Sequence, residues 1–83
     1  MNITKGMVVK SGAGHDKGSV YLVMESESNF AVLVNGKNKK LSNPKRKKIK
    51  HLEYVTCPDV DGMDNLSDKR IRRLLREIAV KSV

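Results

Sequence analysis

Two stretches of this chain are apolar on both faces of any strand they form, and this dictates how many layers the fold must have. In residues 19–24, Val20, Leu22 and Met24 oppose Tyr21 and Val23; in residues 30–34, Phe30, Val32 and Val34 oppose Ala31 and Leu33. Side chains alternate across a strand, so a sheet wetted on one side shows apolar residues at every second position only. Neither stretch does so. Both faces need cover, and the interior of a small barrel covers one. The second cover is found near the C-terminus, where Ile71, Leu74, Leu75 and Ile78 recur at i, i+3, i+4 and i+7, one stripe of a helix. Ser67 or Asp68 is placed to cap the start of that helix, and Lys81 lies favourably near its other end.

The remaining elements follow from turn chemistry. Residues 7–11 read as a strand entered through Gly6, and Gly12, Gly14 and Gly18 mark a loop over residues 12–18 whose backbone needs unusual dihedrals. Residues 25–29 are a polar turn, and Asn35-Gly36 is a strong hairpin signal, so a fourth strand is expected to return through Lys39, Lys40 and Leu41. Asn43 and Pro44 break it, and residues 49–55 read as a fifth strand. Five short strands with tight turns point to a mainly β fold, a small barrel of about five strands. Pro58, Gly62 and three aspartates then mark a linker. The expected organisation is a barrel over residues 1–55, a linker over 56–66, and an amphipathic helix over 67–83 packed on the barrel's outside. At 83 residues this makes one domain, with no internal repeat.

Charge narrows the choice of partner. The formal net charge is +8, a long-range attraction for polyanions such as nucleic acid or an anionic membrane. No apolar run approaches the roughly 20 residues that span a bilayer, and the helical stripe is narrow and lacks aromatics, so no membrane partner is expected. No signal-peptide pattern opens the sequence, and the single cysteine, Cys57, suits a reducing compartment, so the expected location is cytoplasmic. From residue 37 to 50 there are eight basic residues and no acid: Lys37, Lys39, Lys40, Lys45, Arg46, Lys47, Lys48 and Lys50. A merely solubilising face mixes signs, whereas a run of one sign fits phosphates, whose contacts release counterions. Lysine outnumbers arginine seven to one in that run, which favours point-charge contacts with a backbone over bidentate reading of guanine edges. The helix's polar side, Lys69, Arg70, Arg72, Arg73 and Arg76, reads first as a solubilising outer face, with RNA, membrane or a partner as other uses.

The loop near the N-terminus carries the most specific pattern. Gly6, Val8, Val9 and Ser11, then Gly14, His15, Asp16, Lys17 and Gly18, then Val20 and Val23, resemble the KOW motif, which runs from one strand through a glycine-containing loop into the next. Gly18 accepts dihedrals denied to other residues, and nearby N–H groups with Lys17 are placed to approach a phosphate. Tyr21 stands where many KOW sequences have a second glycine. Further along, Leu33-Val34-Asn35-Gly36, Pro44-Lys45-Arg46-Lys47 and Lys50-His51-Leu52-Glu53 are similar in order and spacing to KOW-bearing large-subunit ribosomal proteins of archaea and eukaryotes, and most to the family numbered fourteen. That resemblance covers roughly residues 5–55. It implies an SH3-like barrel in which the loop around Gly14–Gly18 and the basic segment around Lys45–His51 contact ribosomal RNA.

The expected function is therefore RNA binding in the translation apparatus, with large-subunit ribosomal RNA as partner, ribosomal proteins as possible neighbours, and a monomer off the ribosome. The candidate RNA-binding residues are Ser11, Gly14, His15, Asp16, Lys17, Gly18, Lys37, Lys39, Lys40, Lys45, Arg46, Lys47, Lys48, Lys50 and His51. The alternative is a protein-interaction module of the kind KOW domains form in transcription and translation factors, which predicts modest charge and an exposed apolar patch. No cofactor is expected. His15, Asp16, His51 and Cys57 lack zinc-ligand spacing, and residues 59–64 lack the glycine and glutamate placement of a calcium loop. No acid/base pair or nucleophile suggests an enzyme, and no segment reads as a major-groove recognition helix. Tyr21, Phe30 and Tyr54 read as packing residues before base-stacking ones. If the helix covers one sheet face, deleting residues 67–83 lowers the melting temperature by many degrees; an unchanged melting curve contradicts that role.

Overall fold

The computed structural model describes residues 2–58 and 65–81. It contains strands β1 (Val8–Ser11), β2 (Val20–Ser26), β3 (Phe30–Val34), β4 (Lys45–Lys48) and β5 (Leu52–Thr56), a 3-10 turn over Ile49–His51, and helix α1 (Asp68–Lys81). The strands form one antiparallel sheet in the order β4-β3-β2-β1-β5. The fold is mainly β with a C-terminal helix. The sheet does not close on itself by strand pairing: β4 and β5 are its two edges, joined through the 3-10 turn. The expected linker falls largely on residues 59–64, which lie outside the described residues.

The central strands are buried on both sides, and a separate core lies on each. Tyr21 and Val23 of β2, Ala31 and Leu33 of β3 and Val9 of β1 pack with Ile3 and Leu52, flanked by Met7 and Ile49. On the opposite face Val8, Leu22 and Val34 pack against Ile71 and Leu75 of α1, with Leu41, Leu66, Leu74 and Ile78 around them. Each fully buried Leu, Ile or Val contributes about 1.5–3 kcal/mol of transfer free energy, so the helix face is a major source of stability. Ser67 Oγ accepts the Arg70 N–H at 3.2 Å and caps the helix. The Asp68 carboxylate points elsewhere, accepting the Leu41 N–H at 2.9 Å, and so ties the helix to a loop far away in sequence.

That contact explains why the fourth strand is displaced from its expected place. Residues 39–41 do not pair with β3. Asn35 Oδ1 accepts the N–H groups of Lys37 and Lys39, Asn35 Nδ2 donates to Asn38 Oδ1, and the Lys39 carbonyl accepts from the Asn35 and Gly36 N–H groups. A two-residue hairpin gives way to a longer loop capped by its own asparagine. The pairing strand is instead Lys45–Lys48, so half of the basic residues expected in a lysine-rich loop stand on an edge strand. The fifth strand begins at Leu52 and not at Ile49, because the Ile49 N–H bonds to the Asn29 carbonyl and the chain turns through 3-10 geometry first.

Gly36 is the tightest point of the helix docking. Its φ is +74°, and a Cβ there would collide with the Asp68 carbonyl oxygen and lie 2.9 Å from Arg72 Cγ. At Gly18, φ is +92° but nothing lies within 4 Å of an added Cβ. Gly36→Ala therefore carries both backbone strain and overpacking, about 2–4 kcal/mol together, against about 1 kcal/mol for Gly18→Ala. Thermal melts should show the larger drop at Gly36; equal drops would mean that the helix does not press on this loop.

Candidate nucleic-acid interface

Loop 12–18 leaves β1 and enters β2 as a compact, internally bonded turn. The Lys17 N–H donates to the Gly14 carbonyl at 3.2 Å, the Gly18 N–H to Ser11 at 2.8 Å and the Ser19 N–H to Asp16 at 2.9 Å. Gly14 and Gly18 both take positive φ, +85° and +92°, as that path requires. The same bonds revise one expectation. The N–H groups of Lys17, Gly18 and Ser19 are used inside the turn and are not presented to a phosphate.

What the turn does present is Asp16. Tyr21 OH donates to its Oδ2 at 3.0 Å, and Ser11 Oγ lies 3.0 Å from Oδ1 and 2.9 Å from the Ala13 carbonyl. Lys47 Nζ approaches Oδ1 at 2.9 Å and the Ala13 carbonyl at 3.0 Å, and Lys45 Nζ approaches Oδ2 at 3.0 Å. The side chains are only 16% exposed at Asp16, 12% at Lys47 and 28% at Lys45, so these bonds form away from bulk water. Burial alone would raise the Asp16 pKa; the bonds from Lys47, Lys45, Tyr21 and Ser11 outweigh it and hold the carboxyl far below the ordinary carboxylate range. Burial, and then the neighbouring Asp16 carboxylate, push the Tyr21 hydroxyl up.

The register of β4 decides which basic residues join this cluster. Lys45 pairs with Leu33 and Lys47 with Ala31, so both turn to the face of the first core; Arg46 and Lys48 turn to the other. One carboxylate cannot neutralise two ammonium groups, and the cluster keeps excess positive charge. Donors remain as well. Lys45 uses one of its three N–H groups on Asp16, and Lys47 uses two, on Asp16 and Ala13. These lysines line a groove whose other walls are Gly14, His15, Ser19, Asn35, Asn38 and Lys39.

The fifteen expected contact residues are thus divided. The groove gathers Gly14, His15, Asp16, Lys39, Lys45 and Lys47, with Ser11 bonded beneath. Lys17 and Gly18 are exposed at the turn, and Lys40 is exposed in the 35–40 loop. Arg46 lies across the sheet, bonded to Glu27 at 2.9 Å and stacked 4.9 Å from the Phe30 ring centroid. Lys48 and Lys50 border a separate depression beside Phe30, and His51, half-buried in the 3-10 turn outside the groove, accepts the Gly12 N–H with its carbonyl. Lys37 lies on the helix side of its loop. Sequence reasoning missed Tyr21, Asn35 and Asn38, because strand periodicity and a hairpin signal accounted for them. Of the aromatics, Tyr21 is buried, Phe30 is half-buried beneath Arg46, and Tyr54 is exposed. Among the described residues, no three His, Cys, Asp or Glu gather to hold a metal, and no helix is long and apolar enough to cross a membrane.

The sign of the pH effect follows from Asp16. A carboxyl with a depressed folded-state pKa contributes stability that is present above its unfolded value, about 3.9, and lost as pH falls below it. Asp16→Asn should cost about 1–3 kcal/mol near pH 7, where it strands two half-buried lysines. The gap from wild type should narrow by roughly 1 kcal/mol by about pH 3, because one pKa unit corresponds to about 1.4 kcal/mol. Urea midpoints at the two pH values measure this, and a gap that does not change with pH contradicts the assignment. No family model matches the chain, and no curated protein sequence matches it.

Proposed function

We propose that this protein binds RNA, and that the phosphate backbone lies in the groove between loop 12–18 and loop 35–40. The observation that carries the reading is the Asp16 cluster. It holds two lysines at a concave surface with donors to spare, and a third, Lys39, stands on the opposite wall. Ammonium groups on a groove wall give sequence-tolerant phosphate contacts and a strong salt dependence. On this reading the five-stranded sheet is the SH3-like barrel of a KOW domain, and the resemblance to KOW-bearing large-subunit ribosomal proteins makes ribosomal RNA the natural target within the translation apparatus. A cytoplasmic location belongs to the same proposal. Tyr54, at 49% exposure, is the exposed large hydrophobic residue among those described, which gives a protein-docking reading little apolar surface to use.

The test is binding of a fluorescein-labelled single-stranded RNA followed by anisotropy across a salt series. Lys39→Gln combined with Lys45→Gln should lower the slope of log K against log salt by about 1.4, since each lost contact to a single strand removes about 0.7. A slope equal to wild type sinks the groove as the binding surface. Sedimentation of the tagged protein from its native lysate tests the ribosomal part. Co-migration with the large subunit supports it, and protein left at the top of a low-salt gradient rules it out.

A further inference from the structure

A second basic groove lies on the other side of loop 35–40, between that loop and α1. Its lining includes Lys37 from the loop and Arg72 and Arg76 from the helix, together with Ser19, Asn35 and Asn38. The last three also line the groove assigned above, so the two are one surface divided by the Asn35–Asn38 side-chain bond. No acid lines the second groove. Among the described residues, no ion pair engages Lys37, Arg72 or Arg76. Arg72 is held in place by donating from Nη1 to the Gly36 carbonyl, while the Arg76 side chain is exposed and has no such partner among the described residues. Arg72 and Arg76 are four residues apart and so share one edge of the helix. Lys69 and Arg73 are equally basic but do not line the groove.

We infer that α1 is part of the nucleic-acid interface: the RNA backbone that occupies the first groove continues across Asn35 and Asn38, and Lys37, Arg72 and Arg76 take its next phosphates. The inference rests on the RNA-binding reading and deepens it, giving the helix a function besides covering the sheet. An arginine already fixed by a backbone carbonyl loses little freedom when a phosphate arrives, and its planar fork offers further donors for it.

The experiment compares two doubly substituted proteins of equal net charge with the wild type, using the same labelled RNA and salt series. Lys37→Gln/Arg76→Gln should lower the slope by about 1.4 and weaken binding roughly ten-fold or more at about 0.1 M salt. Lys69→Gln/Arg73→Gln should leave the slope at the wild-type value. All four positions are exposed, and Arg72 is left intact because it also anchors the loop. If both variants lose the same slope, the helix acts only through diffuse charge and the inference is overturned. If the groove variant keeps the wild-type slope, it is overturned too, while the first groove stands. A wild-type protein that binds neither single-stranded nor duplex RNA removes the RNA-binding reading itself, and this inference with it.

Discussion

The Asp16 carboxylate accepts from β1, β2 and β4 at once, through Ser11, Tyr21, Lys45 and Lys47. β4, which the ladder joins to β2 and β1 only through β3, is thereby pinned to both at one end of the sheet. Tyr21 makes the connection continuous with the core, because its ring packs between Val9, Val23 and Leu33 while its hydroxyl reaches the carboxylate. Charge is fixed along with geometry. Asp16 stays ionised because its partners outweigh its burial, and Tyr21 stays protonated because burial and the adjacent carboxylate both oppose its ionisation. The charge that these two residues give the groove is therefore constant throughout the neutral range.

A second constraint, the two-sided burial of β2 and β3, links stability to the shape of that surface. The helix covers the face that the first core leaves bare, and it docks through Gly36, whose lack of a side chain lets loop 35–40 lie against the first turn of α1. The Asp68 carboxylate on Leu41 and the Arg72 guanidinium on Gly36 hold the loop from the same side. Because this loop separates the two basic grooves, whatever shifts the helix also moves the groove walls. Stability and the shape of both grooves share residues here, and a substitution at Gly36 or Asp68 would disturb both.

The strand-and-helix plan was largely legible in the sequence because it rests on periodicity. Double-sided strands and a 3.6-residue stripe are signals within single segments, and both appear where they were read. Residues 39–41 show where such reading stops. An Asn-Gly pair fits a two-residue hairpin and an asparagine-capped loop alike; here the loop is closed by the Asn35 side chain and held by Asp68, which accepts from Leu41 27 positions away. The site was half legible for the same reason. The glycine loop and the basic run were visible as compositions, but their meeting through Asp16 depends on strand register, and so does the division of Lys45 and Lys47 from Arg46 and Lys48. Asp16 was read as a contact residue of the glycine loop, and only the fold makes it the shared partner of two lysines.

The placement of four consecutive basic residues on a strand has its own logic. In a loop their charges would crowd together; on β4 the pleat sends alternate side chains to opposite faces and separates like charges. On one face Asp16 bonds both lysines, and on the other Glu27 and the Phe30 ring engage Arg46. β4 is also a sheet edge, and lysines on an edge discourage another strand from adding to it. The basic run thus protects the fold from edge-to-edge association while it charges a groove. Edge protection draws on all four residues, whereas the groove takes its charge from the alternate pair Lys45 and Lys47, so one short strand serves both ends through the pleat alone.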